Sequence, residues 1–280
     1  DPACGSGAYL VGMLHELVDL STLIYNPQLR LEPRSLYEHK LNIIQNNLYG
    51  VDIDPFAVNI AMLRMWLSLA VDHEVDDIAD VQPLPNLNFR IQNGDSLTAP
   101  NPQEIPDLFR ARATIVADEL VQLKVAFMRE PGDRKMTLRT QIEKKQAELT
   151  GALRYAIASP GALDWRIAFA EVFANPEPES SGFDIVLANP PYVRADERPE
   201  LLDYRAELRN SNIYETLYEK WDLYVAFLER GFQLLQQGGV LYYIISDAYT
   251  AAKYAKKSHE FFIENAVIRR VDFVHDIQLF

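Results

Sequence analysis

The sequence predicts an α/β fold built on a doubly wound, mostly parallel sheet, and three observations carry that prediction. A glycine-rich turn at residues 1–7 runs straight into AYLVGMLHELVDLSTLIY, residues 8–25, whose apolar residues recur at helical spacing. The stretch LYGVDID, residues 48–54, is short and apolar, ends in acids, and gives way at once to a second helical pattern. Apolar runs of strand length, FDIVLA (183–188) and VLYYIIS (240–246), follow late in the chain with helical pattern between them. Strands that alternate with helices bury both faces of a parallel sheet.

Residues 8–25 form the first predicted helix and 48–54 a buried strand. Asp54 is placed to cap a helix running to about Val71, with Pro55 in the tolerated first turn. LNFRIQNGD, residues 87–95, alternates and is predicted as a third strand. Pro100, Pro102 and Pro106 then break the pattern. Residues 107–158 predict two long helices around the turn signal Pro131-Gly132-Asp133, and NPEPESSG (175–182) a linker. Residues 102–180 are therefore expected to be a helical insertion between the third and fourth strands, dividing one domain into 1–101 and 181–280. After the strand at 183–188, an irregular stretch to about 218 is expected, then a helix over 221–237 closed by Gly238-Gly239. A strand over 240–246, a helix over 250–265 and a last strand over 268–274 complete the prediction.

With 280 residues, 48% of them hydrophobic, the chain can bury one substantial core. No stretch approaches the roughly 18 uninterrupted apolar residues of a membrane span. No export signal opens the chain, and the single Cys4 excludes an internal disulfide, so a reducing cytoplasm is expected. The five histidines are scattered, so no metal site is expected. A net charge of −13 argues against a surface that grips nucleic acid everywhere, and confines any such contact to one cleft or to a separate domain.

Four segments carry chemistry. In Asp1-Pro2-Ala3-Cys4-Gly5-Ser6-Gly7, glycines let the backbone approach a ligand at a helix N-terminus. In Gly50-Val51-Asp52-Ile53-Asp54, Asp52 sits where a strand-end acid accepts bonds from ribose hydroxyls, and Ile53 can pack on an adenine ring. Asp95, after the third strand, is placed to accept from an adenine amine, although such residues fill ordinary turns as often. Asn189-Pro190-Pro191-Tyr192 directly follows a buried strand; a given tetrapeptide arises by chance in a chain this long on the order of once in 500 cases. An exocyclic aromatic amine is a poor nucleophile because its lone pair is delocalised into the ring. The Asn189 side-chain oxygen and the Pro190 carbonyl can bind both amine hydrogens and localise that lone pair toward an incoming methyl group. The prolines stiffen the loop, and the Tyr192 ring offers a face to an extruded base.

In order, DPACGSG, GVDID, NGD and FDIVLANPPY resemble motifs I to IV of the amino-methylating DNA methyltransferases. NPPY points to adenine N6 rather than cytosine N4, where SPPY is usual. DWRIAFAEVF, WDLYVAFLERGFQLLQQGGVLYYIISD and AVIRRVDFVHDIQLF resemble the large adenine methyltransferases of type IIG restriction-modification enzymes. The resemblance implies the Rossmann-like doubly wound sheet of class I S-adenosylmethionine-dependent methyltransferases. It implies S-adenosylmethionine held by Asp1, Ala3, Gly5, Asp52 and Asp95, and transfer to a flipped adenine of double-stranded DNA at Asn189 to Tyr192. A second stacking aromatic is implied near Phe280. The chain is expected to be a segment of a longer polypeptide, with target recognition, and any nuclease, in the remaining domains.

Rival readings use the same NPPY chemistry on a protein glutamine or a ribosomal RNA guanine, or make the chain a non-catalytic DNA-binding scaffold. Asp133, Glu143 and Lys145 spell a loose nuclease-like pattern, but on helical rather than strand spacing. Lys253, Lys256, Lys257, Arg269 and Arg270 form a late basic cluster, and Tyr218, Trp221, Tyr224 and Phe227 a stripe expected in the core.

Overall fold

A computed structural model describes residues 1–25, 33–71, 87, 89–104, 107–130, 134–153, 163–173, 178–194 and 198–274. Its first half is a βαβ arrangement. Helix α1 (Ala8–Tyr25) and helix α2 (Pro33–Asn46) precede strand β1 (Gly50–Asp52), helix α3 (Pro55–Ala70) and strand β2 (Ile91–Asn93). β1 and β2 pair in parallel, Gly50 opposite Ile91 and Asp52 opposite Asn93. Leu10, Leu14 and Val18 of α1 recur every fourth residue and pack with Tyr37, Ile43 and Ile44 of α2 and with Val58, Met62, Met65 and Leu69 of α3. Asp54 caps α3 as expected, its side chain accepting the Phe56 N–H at 2.9 Å.

Next come helix α4 (Asp107–Arg129) and helix α5 (Arg134–Ala152), which pack along each other through Ala113, Val116, Leu120 and Phe127 against Ile142, Leu149 and Leu153. The turn signal at 131–133 and the predicted helix end at 154–158 lie outside the described residues. Two short helices follow, α6 (Trp165–Ala168) and α7 (Ala170–Phe173). They anchor the long pair through charge: Glu171 bonds Arg90 at 2.8 Å and Lys124 of α4 at 3.1 Å. Lys145 pairs with Glu119 and Glu148, and Glu143 with Arg139, so two of the three nuclease-like residues are engaged in ion pairs along the helices; Asp133 lies outside the described residues.

Strand β3 (Phe183–Ala188) matches its predicted range, and is followed by helix α8 (Leu202–Asn210), helix α9 (Leu223–Gln233), strand β4 (Leu235–Tyr243) and helix α10 (Lys256–Asn265). β3 and β4 pair in parallel, but Phe183 faces Leu235 whereas Ile185 faces Val240, so extra β4 residues bulge out at Gly238 and Gly239. α9 is the buried spine of this half, with Trp221, Tyr224 and Phe227 in the core as expected; Tyr218 alone of that stripe is exposed, under the Lys257 ammonium.

Five expectations are corrected. The α/β class with parallel pairing holds, but the described strands form two separate parallel pairs, not one continuous sheet. The free side of β1 is taken by the Asp1–Cys4 turn, whose Asp1 carbonyl accepts Val51 N–H and whose Cys4 N–H reaches the Val51 carbonyl. The third strand spans Ile91–Asn93 alone, because 89–90 form a turn. The helix expected over 221–237 ends at Gln233, since the Leu234 carbonyl already accepts Phe183 N–H from β3. Residues 202–210, expected irregular, are helical. Residues 268–274 belong to no strand and are exposed. Among the described residues, no helix is long and apolar enough to cross a membrane.

Candidate active site

The candidate residues lie at the C-terminal ends of β1, β2 and β3, the ends at which parallel strands place their ligands. The Asp52 carboxylate at the end of β1 accepts Gly5 N–H at 2.8 Å and Asp54 N–H at 2.9 Å. It thereby ties the glycine turn to the strand, a structural role that spacing alone did not reveal. Asn93 braces the same corner, donating from Nδ2 to the Asp52 and Ile53 carbonyls. Ile53 is 68% exposed and Phe56 70%, leaving an apolar surface beside the Asp52 carboxylate.

The glycine turn divides its labour. Gly5 has φ +50°, and no atom lies within 4 Å of where its Cβ would stand. Gly7 has φ +79°, and a Cβ there would meet Ala61 of α3 at 2.9 Å. Gly5 thus borders open space, whereas Gly7 lets α1 and α3 approach. Asp1 Oδ1 accepts Ala3 N–H at 3.0 Å, while its Oδ2 is buried with no hydrogen-bond partner. An unsatisfied buried carboxylate oxygen is costly and is suited to a cationic donor. Cys4 packs beneath the turn, where burial pushes its thiol up to about 12.

Asp95 is held from three sides. Its Oδ1 accepts Leu97 N–H at 2.8 Å and the Tyr204 hydroxyl at 2.9 Å, and its Oδ2 accepts the Thr98 hydroxyl at 3.0 Å. Ser96 beside it donates to the Pro2 carbonyl at 2.6 Å, joining this loop to the glycine turn.

Asn189 and Pro190 leave β3 partly and fully buried, while Pro191 and Tyr192 are exposed. The Tyr192 hydroxyl lies 2.7 Å from Asn189 Oδ1 and 3.0 Å from the Ile244 carbonyl, and its ring meets Tyr224 edge-on at 6.1 Å. Burial, then the neighbouring Tyr9 and Asp222, raise the Tyr192 hydroxyl above its ordinary value. Tyr9 belongs to the first turn of α1, just after the glycine turn. Ala3 of the glycine turn and Val193 after Tyr192 both pack against the same buried cluster around α9.

Asp1, Ala3, Gly5, Asp52, Ile53 and Asp95 therefore gather around one rim and Asn189 to Tyr192 form the neighbouring one. Phe280 lies outside the described residues. Sequence reasoning missed Tyr9, Tyr204, Arg205 and Asp222. Asp222 alone carried a signal, its place just before a helical pattern. Its buried carboxyl, raised above the usual range by desolvation, accepts Val193 N–H at 2.9 Å and so fixes the residue after Tyr192.

The chain is similar in sequence to known proteins. The chain is 22% identical to the type II restriction enzyme and methyltransferase RM.Eco57I of Escherichia coli, over 97% of this chain and 22% of that protein. It is 23% identical to the adenine-specific methyltransferase PglX of Streptomyces coelicolor, over 85% of this chain and 15% of that protein. Over 35% of this chain and 17% of the relative, it is 36% identical to the type II methyltransferase M.BstVI of Geobacillus stearothermophilus. The chain thus spans less than a quarter of the length of these relatives. The model of the Eco57I restriction-modification methylase family matches residues 46–280, and this chain belongs to that family.

Proposed function

We propose that the chain transfers a methyl group from S-adenosylmethionine to the N6 amine of an adenine in double-stranded DNA, within a restriction-modification or phage-defence protein. The observation that supports this reading best is the Asn189-Pro190-Pro191-Tyr192 loop at the end of β3, which shares, through Val193, a packed cluster with Ala3 of the glycine turn that Asp52 holds. It is supported by the relatives' printed activities, restriction-modification methylation and adenine-specific methylation.

The donor set fits S-adenosylmethionine. The unpartnered Asp1 Oδ2 suits its ammonium, the open space at Gly5 its methionine chain, and the Ile53 and Phe56 surface beside Asp52 its adenosine. The Asp95 Oδ2 keeps an acceptor position for the adenine amine. When bound, the cofactor supplies an electrophilic methyl on a sulfonium.

The protein's own contribution is positional and electrostatic. Asn189 Oδ1 and the Pro190 carbonyl accept the two hydrogens of the target amine, which localises the nitrogen lone pair toward the methyl. The nitrogen gains its N–C bond as the donor's S–CH3 bond breaks to leave a neutral thioether; two oxygens bonded to the amine hydrogens stabilise the positive charge on nitrogen until one proton passes to solvent. Tyr192, exposed at the tip, gives the extruded base a ring to stack on. We assign residues 102–180 as the helical insertion and 1–101 with 181–280 as the halves of a class I methyltransferase domain. This assignment is supported by the α4–α5 pair lying between β2 and β3 in the chain.

The test is incubation of the full-length protein with methyl-labelled cofactor and duplex DNA, followed by nucleoside analysis. Label in N6-methyldeoxyadenosine is expected. Label in protein glutamine or in ribosomal RNA, with none in DNA, overturns the substrate assignment.

A further inference from the structure

Helix α8 buries little that would justify it as packing. Its buried residues are Arg205 and Leu208, and Leu202 at its start is largely exposed. What the helix offers instead is two polar groups on consecutive residues, each aimed at a different loop.

The first is Tyr204, whose hydroxyl donates to Asp95 Oδ1 at 2.9 Å. Burial and the adjacent carboxylate keep that hydroxyl protonated, so it acts as a donor. With Leu97 N–H also on Oδ1, the carboxylate is fixed in rotation and Oδ2 keeps a free acceptor position. The second is Arg205, whose guanidinium donates to the Val193 carbonyl at 2.5 Å and to the Trp221 carbonyl at 2.5 Å, and lies over the Trp221 ring at 4.7 Å. Val193 directly follows Tyr192. Its carbonyl also accepts Leu223 N–H and its own N–H goes to Asp222, so both backbone groups at the loop exit are held.

We infer that α8 couples the two rims of the site: Tyr204 positions the Asp95 carboxylate, and Arg205 positions the exit of the 189–192 loop. Neighbouring residues in a helix are rigidly related, about 1.5 Å apart along its axis. A displacement of Asp95 is therefore passed to Val193 through one element, and the loop is held in register with the acid that meets the cofactor. The inference rests on the cofactor and base assignments proposed above. Tyr204 and Arg205 are positioning residues, touching neither reactant.

The two arms separate in kinetics. In the full-length protein, Tyr204→Phe is expected to raise the S-adenosylmethionine dissociation constant about tenfold, the weight of one hydrogen bond to a carboxylate, with kcat at saturating cofactor within about twofold. Arg205→Lys, which replaces the planar two-pronged guanidinium with a single nitrogen and loses the stacking on Trp221, is expected to lower kcat about tenfold with cofactor affinity within about twofold. Unchanged affinity in the isosteric Tyr204→Phe overturns the inference, as does a parallel loss of both parameters with melting temperature in both variants. Affinity is measured by calorimetry without DNA. Wild-type protein that binds cofactor but labels no adenine therefore sinks the substrate assignment alone, and the Tyr204 arm still decides the coupling.

Discussion

The Tyr192 hydroxyl stands between Asn189 Oδ1 at 2.7 Å and the Ile244 carbonyl at 3.0 Å, one proton facing two acceptors. The carboxamide proposed to receive the target amine is therefore already held from the side by the ring proposed to stack on the base. Asn189→Ala is expected to lower kcat by about 10²- to 10³-fold, the usual cost of one transition-state hydrogen-bonding group, with cofactor affinity within about twofold. Tyr192→Phe keeps the ring and loses the tether, so a smaller drop, about tenfold, is expected. Single-turnover methylation and calorimetry on each variant check both. Equal loss of affinity in Asn189→Ala would show the residue to be structural.

Asp52 serves the fold and the proposed cofactor at once. Its two oxygens hold Gly5 N–H and Asp54 N–H, so Asp52→Ala releases the glycine turn as well as removing an acceptor for ribose. A loss of about 2–3 kcal/mol in stability is expected alongside weakened cofactor binding. Urea denaturation and calorimetry read the two effects. A variant with unchanged cofactor affinity would remove Asp52 from the binding set.

Glu171 neutralises two buried cations, Arg90 and Lys124, whose side chains are 7% and 3% exposed. Desolvation already pulls the Lys124 ammonium below its ordinary value, with Glu171 opposing that pull. Glu171→Ala strands both charges and is expected to cost about 3–5 kcal/mol, because breaking a buried pair leaves its partner uncompensated. A midpoint in denaturant within error of wild type would contradict the buried-network reading.

Cys4 sets an alkaline limit. Burial lifts its thiol from 9.0 to about 12. The folded state therefore holds the proton more tightly than the unfolded state. The stability this gives is complete below about pH 9 and is lost as pH rises toward 12. The hydroxyls of buried Tyr214 and of partly buried Tyr49 and Tyr243 are shifted in the same direction, chiefly by desolvation, and reinforce the trend. Melting temperature should fall steadily above pH 9, and Cys4 should resist a thiol reagent at pH 8 until denaturant is added. Rapid labelling of native protein would disprove the buried thiol.

Much of the fold was legible because its signals are local. The α1 range, the β3 range and the Asp54 cap each follow from adjacent residues: a turn and a four-residue apolar period, an unbroken apolar run, an acid before a proline. Helix α8 was not legible, because its side chains answer to loops far along the chain, Asp95 at a separation of 109 residues. The β4 bulge and the early end of α9 depend on which strand lies alongside. α2, with Tyr37, Ile43 and Ile44 buried, was missed although Pro33 stands at its first position. At the site, the motif acids were found from spacing. Their double duty was not, since a carboxylate's partners are set by the fold.

The two glycines at positions 5 and 7 carry a warning for mutational scanning. A bulky side chain at either would abolish activity, and a screen of colonies would score them alike. At position 5 the new atoms enter the open space proposed for the cofactor and, at φ +50°, strain only a surface turn, so the protein is expected to fold. At position 7 they wedge apart two helices, and the chain fails before any chemistry begins. Only the amount of folded protein distinguishes the obstructed enzyme from the broken one.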